Sequence, residues 1–236
     1  MLPSWRRFRN LICLAILASL VLGAFSIRPF TQLLLPWIVF DQWKRATFPA
    51  ADDTDCIEQM RAMGASFTVG GVPEAQRAQG CAIDTPLVLS SGPPPFVNIA
   101  FNPPYEYTTL SCKFALRLRS FIDRTLQTEA NRMLGSSVKK FLHKGGYACR
   151  GQRTFTSLMS EHAFGEAMDL AGVELEDGRI ISVESDYTAD SDAGRFLRSI
   201  AAAACAEFGT TLGPPFNDLH RDHLHIAVGF PKRCVY

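Results

Sequence analysis

Three of the five histidines in this 236-residue chain fall in one short segment, "DLHRDHLHIAVGF", residues 218–230. Because side chains alternate along a strand, His223 and His225 share one face with Ala227 and Gly229. The other face carries only apolar side chains, as a core face does. Two imidazoles on one face, followed by small residues, suit a metal ion and a substrate above it. The spacing predicts a metal site here.

A second segment, "SEHAFGEAMDLAGV" (residues 160–173), places His162 and Asp169 on either side of Gly165. Glycine permits a turn or a close approach of the backbone at that point. Asp169 lies in an apolar run, where an unpaired charge would be costly. A divalent metal would satisfy the carboxylate, but so would backbone amides. His162, like His220 in the first segment, could equally be a loop residue or a partner of the site.

Helical spacing of apolar residues predicts the two helices that must support this site. One spans 108–134 and ends at Gly135. The second spans 192–208, with Asp192 as its N-cap and a glycine after its last turn.

Strand patterns occupy the rest of the supporting structure. Residues 137–151, "SVKKFLHKGGYACRG", predict strand, turn and strand, with His143 solvated in the turn. Glu176-Asp177-Gly178 lies between apolar runs, which indicates a hairpin. The combination predicts an α+β fold, a small antiparallel sheet with helices packed on one side.

The start of the chain predicts a membrane segment. Three arginines, at positions 6, 7 and 9, precede the uncharged run Leu11 to Ile27. A basic flank before such a run is typical of an N-terminal anchor or a secretory signal, with the arginines inside. We expect an uncleaved anchor in residues 1–30, a juxtamembrane linker in 31–55 and an exported domain in 56–236. The expected location is therefore the outer face of the inner membrane, in the periplasm or outside the cell.

The cysteines agree with export. Six follow the apolar run, without a C-x-x-C pair: Cys56, Cys81, Cys112, Cys149, Cys205 and Cys234. Zinc ribbons need close pairs, whereas an even number in an exported domain indicates disulfides. Pairing in chain order gives 56–81, 112–149 and 205–234, and buried free thiols are the alternative.

The charge balance argues against one class of partner. The formal net charge is +1, and a basic cluster occurs only at the N-terminal end. Proteins that bind nucleic acid carry a basic excess or a basic patch. We therefore expect no nucleic-acid partner.

The motifs around the candidate ligands resemble those of a known enzyme family. The pattern S-x-H-x-x-G-x-A-x-D is formed by Ser160, His162, Gly165, Ala167 and Asp169. It resembles the first metal motif of the D-Ala-D-Ala carboxypeptidase metallopeptidases. Asp222, three residues before His225, fits their second motif, and H-x-H fits related murein endopeptidases. "GGYACR" resembles their Gly-Tyr-Arg segment, with two residues inserted before Arg150.

Most of 56–236, cysteines included, is similar to the bacterial extensin-like C-terminal family. The peptidase resemblance implies a hedgehog/D-Ala-D-Ala-peptidase-like fold. It implies zinc held by His162, Asp169 and His225, with a fourth position open.

The same resemblance suggests roles for the neighbouring residues. It favours Asp222 as general base and His223 as a donor to the substrate or transition state. The reverse assignment stays open, because His223 shares the face of His225. Arg150 would hold a substrate carboxylate or the developing oxyanion, unless it is a surface residue beside a disulfide.

Resemblance and export together imply zinc-dependent hydrolysis of a peptide bond in the peptidoglycan stem peptide. The peptidoglycan peptide would then be the partner, with the membrane as the second. The alternative is a cell-wall-binding or scaffold module that retains the fold without turnover.

Overall fold

A computed structural model of the chain describes residues 54–90, 107–152, 158–229 and 232–236. The predicted membrane segment in 1–30 and most of the predicted linker in 31–55 lie outside these residues. Among the residues described, no helix has the length and apolar character that crossing a membrane requires.

The described chain alternates short strands with helices. The α-helices are α1 (Thr54–Ala62), α2 (Glu74–Arg77), α3 (Cys112–Phe121), α4 (Gln127–Leu134), α5 (Val183–Asp186) and α6 (Asp192–Phe208). The strands are β1 (Phe67–Val69), β2 (Pro86–Ser90), β3 (Tyr107–Ser111), β4 (Val138–His143), β5 (Ala167–Leu175), β6 (Ile180–Ser182), β7 (Gly209–Leu212), β8 (Leu224–Val228) and β9 (Arg233–Val235). A π-helical turn, Ile122–Leu126, joins α3 to α4, and two 3-10 helices span Glu161–Phe164 and Asp218–His220.

The strands form two sheets. A three-stranded sheet has the order β1-β2-β3, and a six-stranded sheet has the order β4-β5-β8-β7-β9, with β6 paired to β5. All pairs are antiparallel except β7 with β9, which is parallel. The predicted α+β class with a small antiparallel sheet is therefore confirmed, apart from this one parallel edge. A disulfide between Cys205 of α6 and Cys234 fastens the edge strand.

Helices cover one face of the six-stranded sheet. The side chains that β5 and β8 contribute to the hydrophobic core include Met168, Leu170, Leu224 and Ile226. From the helices, the Phe208 ring lies 5.4 Å from that of Phe114 and 5.5 Å from that of Phe121. Burying one such side chain stabilises the fold by about 1.5–3 kcal/mol. Because side chains alternate, Asp169 and His225 project from the opposite face of the sheet.

The first predicted helix starts later than expected. Residues Tyr107–Ser111 form β3, which pairs with β2, and α3 begins only at Cys112. Two β-branched threonines favour the strand. The Ser111 side chain then accepts the backbone N–H of Phe114 at 3.3 Å and caps the helix. The predicted end is confirmed, because Gly135 takes a left-handed conformation after α4.

The second helix has the predicted bounds but a different cap. The side chain of Ser191 accepts the Gly194 N–H at 3.2 Å, whereas Asp192 pairs with Arg195 at 2.8 Å. Serine fits the N-cap position, where its short hydroxyl reaches the backbone of the first turn. The predicted hairpin at residues 176–178 is confirmed as the connection of β5 to β6.

The predicted second strand in residues 137–151 does not form beyond one isolated bridge at Gly151. Side-chain bonds hold this segment in place of the backbone hydrogen bonds of a strand pair. The Tyr147 hydroxyl donates to Gln76 at 2.7 Å, and Cys149 is bonded to Cys81. This segment is therefore fastened to the region around α2, and the Ala148 N–H also donates to the His162 carbonyl at 3.2 Å.

The six cysteines form three disulfides, as predicted, but two of the three predicted pairs are wrong. The bonds join Cys56 to Cys112, Cys81 to Cys149, and Cys205 to Cys234. Pairing in chain order assumes that neighbours in sequence meet in space. Here α1 packs on α3, which brings Cys56 beside Cys112 and leaves Cys81 for the segment after β4.

Candidate metal centre

His162 lies on the 3-10 helix Glu161–Phe164, directly before β5. The Ser160 side chain accepts the His162 backbone N–H at 3.4 Å and caps the helix, while Gly165 ends it with a φ of +64°. The His162 side chain is only 3% exposed. These local signals fix a buried imidazole at the entrance of the strand that carries Asp169.

Gly165 also allows this turn to lie against β3. Its carbonyl accepts the Ser111 N–H at 2.9 Å. A Cβ at this position would lie 2.7 Å from the Ser111 nitrogen and 3.1 Å from a side-chain carbon of Ile83. Both the positive φ and this close approach therefore require glycine.

Asp169 and His225 face each other across two paired strands. Asp169 of β5 and His225 of β8 are direct partners in the antiparallel register. Side chains of such partners lie on the same face with Cβ atoms about 4.5–5.5 Å apart. The register therefore brings together two residues that are far apart in sequence.

The three side chains converge on one point. The Asp169 Oδ1 lies 3.0 Å from the His225 Nδ1 and 3.3 Å from the His162 Nε2, and the two ring nitrogens are 3.2 Å apart. The His162 Nδ1 contacts the carbonyl of Gly146. Because a carbonyl only accepts, Nδ1 carries the proton and Nε2 offers its lone pair. His162, Asp169 and His225 can thus hold a metal ion.

Charge favours a cation at this point. Burial alone raises the pKa of Asp169, but attraction to His162 and His225 outweighs it and holds that pKa well below its usual range. Burial lowers the pKa of His162, but the Asp169 charge and the hydrogen bonds to Asp169 and Gly146 together outweigh it, and the pKa rises. A carboxylate that stays ionised between two imidazoles attracts a proton or, more strongly, a divalent metal.

His223 and Asp222 lie next to the triad and contact each other. The His223 Nε2 is 3.7 Å from the Asp169 Oδ1, and its Nδ1 is 2.8 Å from the Asp222 Oδ1. The other Asp222 oxygen pairs with the Lys144 ammonium. Of these two residues, His223 directs its Nε2 toward the triad, while Asp222 contacts the Nδ1 on the other side of the ring.

A comparison with protein families matches residues 54–234 to "Extensin-like protein C-terminus". The chain belongs to this family. Comparisons with curated proteins and with solved structures gave no significant match.

Arg150 of this extensin-like domain is linked to the 3-10 helix that carries His162. Its backbone carbonyl accepts the N–H of Ser160, the cap of the 3-10 helix, at 3.1 Å. Its positive charge is near enough to oppose the rise in the pKa of His162. The disulfide at Cys149 fixes the preceding residue. The positive charge of Arg150 therefore acts on one of the three candidate ligands, His162.

His220 also lies beside the site. Its ring centroid is 5.2 Å from that of His223 and 6.0 Å from that of His225. Its Nδ1 lies 2.7 Å from the Asn217 Oδ1, which also accepts the Leu219 N–H. Because that oxygen is an acceptor, the histidine donates from Nδ1. Burial, together with the nearby His223 and His225, lowers the pKa of His220 to about 4.

His143 is not the solvated turn residue that the sequence predicted. It is the last residue of β4, only 1% exposed, and its Nδ1 accepts the Gly145 N–H at 3.1 Å. Burial lowers its pKa to about 4, although Asp169 opposes this. Sequence reasoning also missed Lys144 and the Gly146 carbonyl. Both residues belong to the turn "HKGG", residues 143–146. The turn was visible in the sequence, but its contacts with Asp169 of β5 were not.

Proposed function

We propose that this extensin-like domain is a zinc-dependent peptidase that hydrolyses a peptide bond in the peptidoglycan stem peptide. The observation that carries the proposal is the convergence of His162, Asp169 and His225. We further propose that the domain has the hedgehog/D-Ala-D-Ala-peptidase-like fold and works outside the inner membrane, anchored by residues 1–30.

The donor set fits zinc. Catalytic zinc sites use three protein ligands from imidazole and carboxylate groups, with bonds of about 2.0–2.1 Å. Tetrahedral ligands at such bond lengths lie roughly 3.3 Å apart, and the three ligand atoms here are separated by 3.0, 3.2 and 3.3 Å. When bound, zinc polarises a carbonyl and makes water a nucleophile near neutral pH.

The geometry supports His223, not Asp222, as the general base. Asp222 is paired with Lys144, and although burial raises its pKa, hydrogen bonds from Lys144 and His223 lower that pKa to about 2. Such a carboxylate is a weak base at neutral pH. It can instead accept the Nδ1 proton of His223 and keep Nε2 directed at the triad. The sequence left both Asp222 and His223 open as the base. Assigning the role to His223 places the base beside a candidate ligand, because its Nε2 is 3.7 Å from the Asp169 Oδ1.

Arg150 would bind the substrate. A guanidinium offers paired donors in a plane, which suits a carboxylate or a developing oxyanion. Its link to the cap of the 3-10 helix holds its backbone at a fixed place beside His162. We propose that Arg150 orients the peptide so that the scissile carbonyl lies above the triad.

The test is cleavage of muropeptides by the full-length protein. Zinc-loaded protein should release new peptide fragments, detected by mass spectrometry, and the variants His162→Ala and Asp169→Asn should not. Arg132→Ala, at an exposed helical residue that pairs with Glu129, is the matched control and should cleave normally.

Two results would count against the peptidase. If the protein does not bind zinc, and His162→Ala has the same metal content as the wild type, the proposed metal centre is refuted. Bound zinc without cleavage, together with retained binding to sacculi, would instead support a wall-binding module.

A further inference from the structure

Lys144 makes the outermost contact in a line of polar groups that ends at the triad. Its ammonium pairs with one oxygen of Asp222, and the other oxygen of that carboxylate lies 2.8 Å from the His223 Nδ1. The His223 Nε2 then lies 3.7 Å from the Asp169 Oδ1. The Lys144 side chain is 40% exposed, whereas those of Asp222 and His223 are 17% and 14% exposed.

The contacts of Asp222 determine which nitrogen of His223 bears the proton. An ionised carboxylate only accepts hydrogen bonds, so the Nδ1 beside it must donate. In the neutral ring, Nε2 is then left as the acceptor. The other Asp222 oxygen is held by Lys144, which leaves the carboxylate one orientation that satisfies both neighbours.

The backbone ties Lys144 to the strand that carries Asp169. Its N–H donates to the Asp169 carbonyl at 2.9 Å, and the Asp169 N–H donates to the Gly145 carbonyl at 3.1 Å. The lysine is thus fixed relative to the candidate ligands, although its side chain reaches the surface. Its backbone is hydrogen-bonded directly to Asp169, one of the three candidate ligands.

We propose that Lys144 is a positioning residue of the site. It holds the Asp222 carboxylate in place and, through it, keeps the His223 ring in the Nδ1–H form with Nε2 toward the triad. The catalytic consequence rests on the proposed peptidase function, whereas the ring form does not. Partners that orient a site from behind are typically worth about 10–100-fold in activity or metal affinity.

The experiment compares Lys144→Met, Lys144→Arg and a matched control in the full-length protein. Lys140→Met is the control, because Lys140 also pairs with a carboxylate, that of Glu174, at 2.7 Å. Glu174 is five residues beyond Asp169 in β5, roughly 17 Å along the strand. Lys140→Met therefore removes a similar ion pair away from the site.

Nitrogen-15 NMR of the metal-free protein at about pH 8, where imidazoles are ordinarily neutral, reads the ring form directly. We expect Nδ1–H for His223 in the wild type, Lys144→Arg and Lys140→Met, and a mixture of both forms in Lys144→Met. With zinc, Lys144→Met should lose about tenfold in kcat on muropeptides at unchanged zinc content, and Lys144→Arg should recover most of it.

The outcomes separate the two proposals. An unchanged His223 ring form in Lys144→Met overturns the positioning role, even if turnover falls, because the lysine would then act on the substrate. A change in ring form in Lys140→Met as well would also overturn it. A ring form that depends on Lys144, in a protein that cleaves nothing, supports the positioning role and refutes the peptidase.

Discussion

Gly165 gives the sharpest test of how the fold builds the candidate metal centre. Gly165→Ala should destabilise the protein more than the same change at Gly135. Both glycines follow a helix in the left-handed region, with φ of +64° and +69°. They differ in their surroundings, because an added Cβ would lie 2.7 Å from the Ser111 nitrogen at Gly165 and would meet nothing within 4 Å at Gly135.

The expected magnitudes follow from this difference. A left-handed conformation costs a non-glycine residue about 1–2 kcal/mol, and this is all that Gly135→Ala should lose. Gly165→Ala adds an overpacking cost of about 1–3 kcal/mol, because the clash is with backbone that cannot move aside. In a domain of this size each kcal/mol lowers Tm by roughly 2–4 °C.

Thermal and urea unfolding of the two variants, without reductant, measures the difference. Zinc titration of each gives a second reading, because a shifted 3-10 helix displaces His162. We expect weaker zinc binding in Gly165→Ala and unchanged binding in Gly135→Ala. Equal losses of stability in the two variants would refute the argument from close approach.

Three further predictions concern the metal, the acid limit and the disulfides. Free zinc at about 100 times its Kd should raise the unfolding free energy by about 2.7 kcal/mol, and His162→Ala should abolish this gain in a thermal-shift titration. The pKa of Asp222 is about 2 in the folded protein and about 3.9 in the unfolded chain. Its contribution to the free energy of unfolding is therefore fully present above about pH 4 and is lost as the pH falls toward 2. The gap in urea midpoint between wild type and Asp222→Asn should therefore close over that range, and a constant gap would contradict it. Replacing both Cys81 and Cys149 by serine should cost about 2–5 kcal/mol in thermal or urea unfolding, whereas peptide mapping that finds Cys56 bonded to Cys81 would disprove the pairing itself.

Local signals were sufficient for several elements. The bounds of α6 followed from its apolar spacing and the glycine after it, and the hairpin at residues 176–178 followed from its Asp-Gly turn. Prediction failed where a local preference competed with a distant partner. Tyr107–Ser111 pairs with β2, a partner that the helical spacing of the following residues did not indicate. The residues after the β4 turn are linked to the region around α2 by the side chains of Tyr147 and Cys149.

For the candidate site as well, some features could be predicted from the sequence and others could not. Alternation along β8 placed His225 on the face away from the core, and the motif spacing identified His162 and Asp169. The first inference needs only the period of a strand, whereas His162 and Asp169 were assigned as ligands through the resemblance to the metallopeptidase motif. The sequence could not decide between Asp222 and His223, because both are within reach of the last ligand.

The sequence by itself determined the residue types that can hold a metal, the class of fold and the number of disulfides, since each depends on composition or on local period. Tertiary structure alone decided how Cys56, Cys81, Cys112 and Cys149 pair, that His143 is buried and that Lys144 binds Asp222. The physical reason is that these contacts join segments that only packing brings together, such as β4 and the loop before β8. Disulfides, hydrogen bonds and ion pairs form only between groups a few ångströms apart, and the separation of two residues in sequence does not give their distance in space.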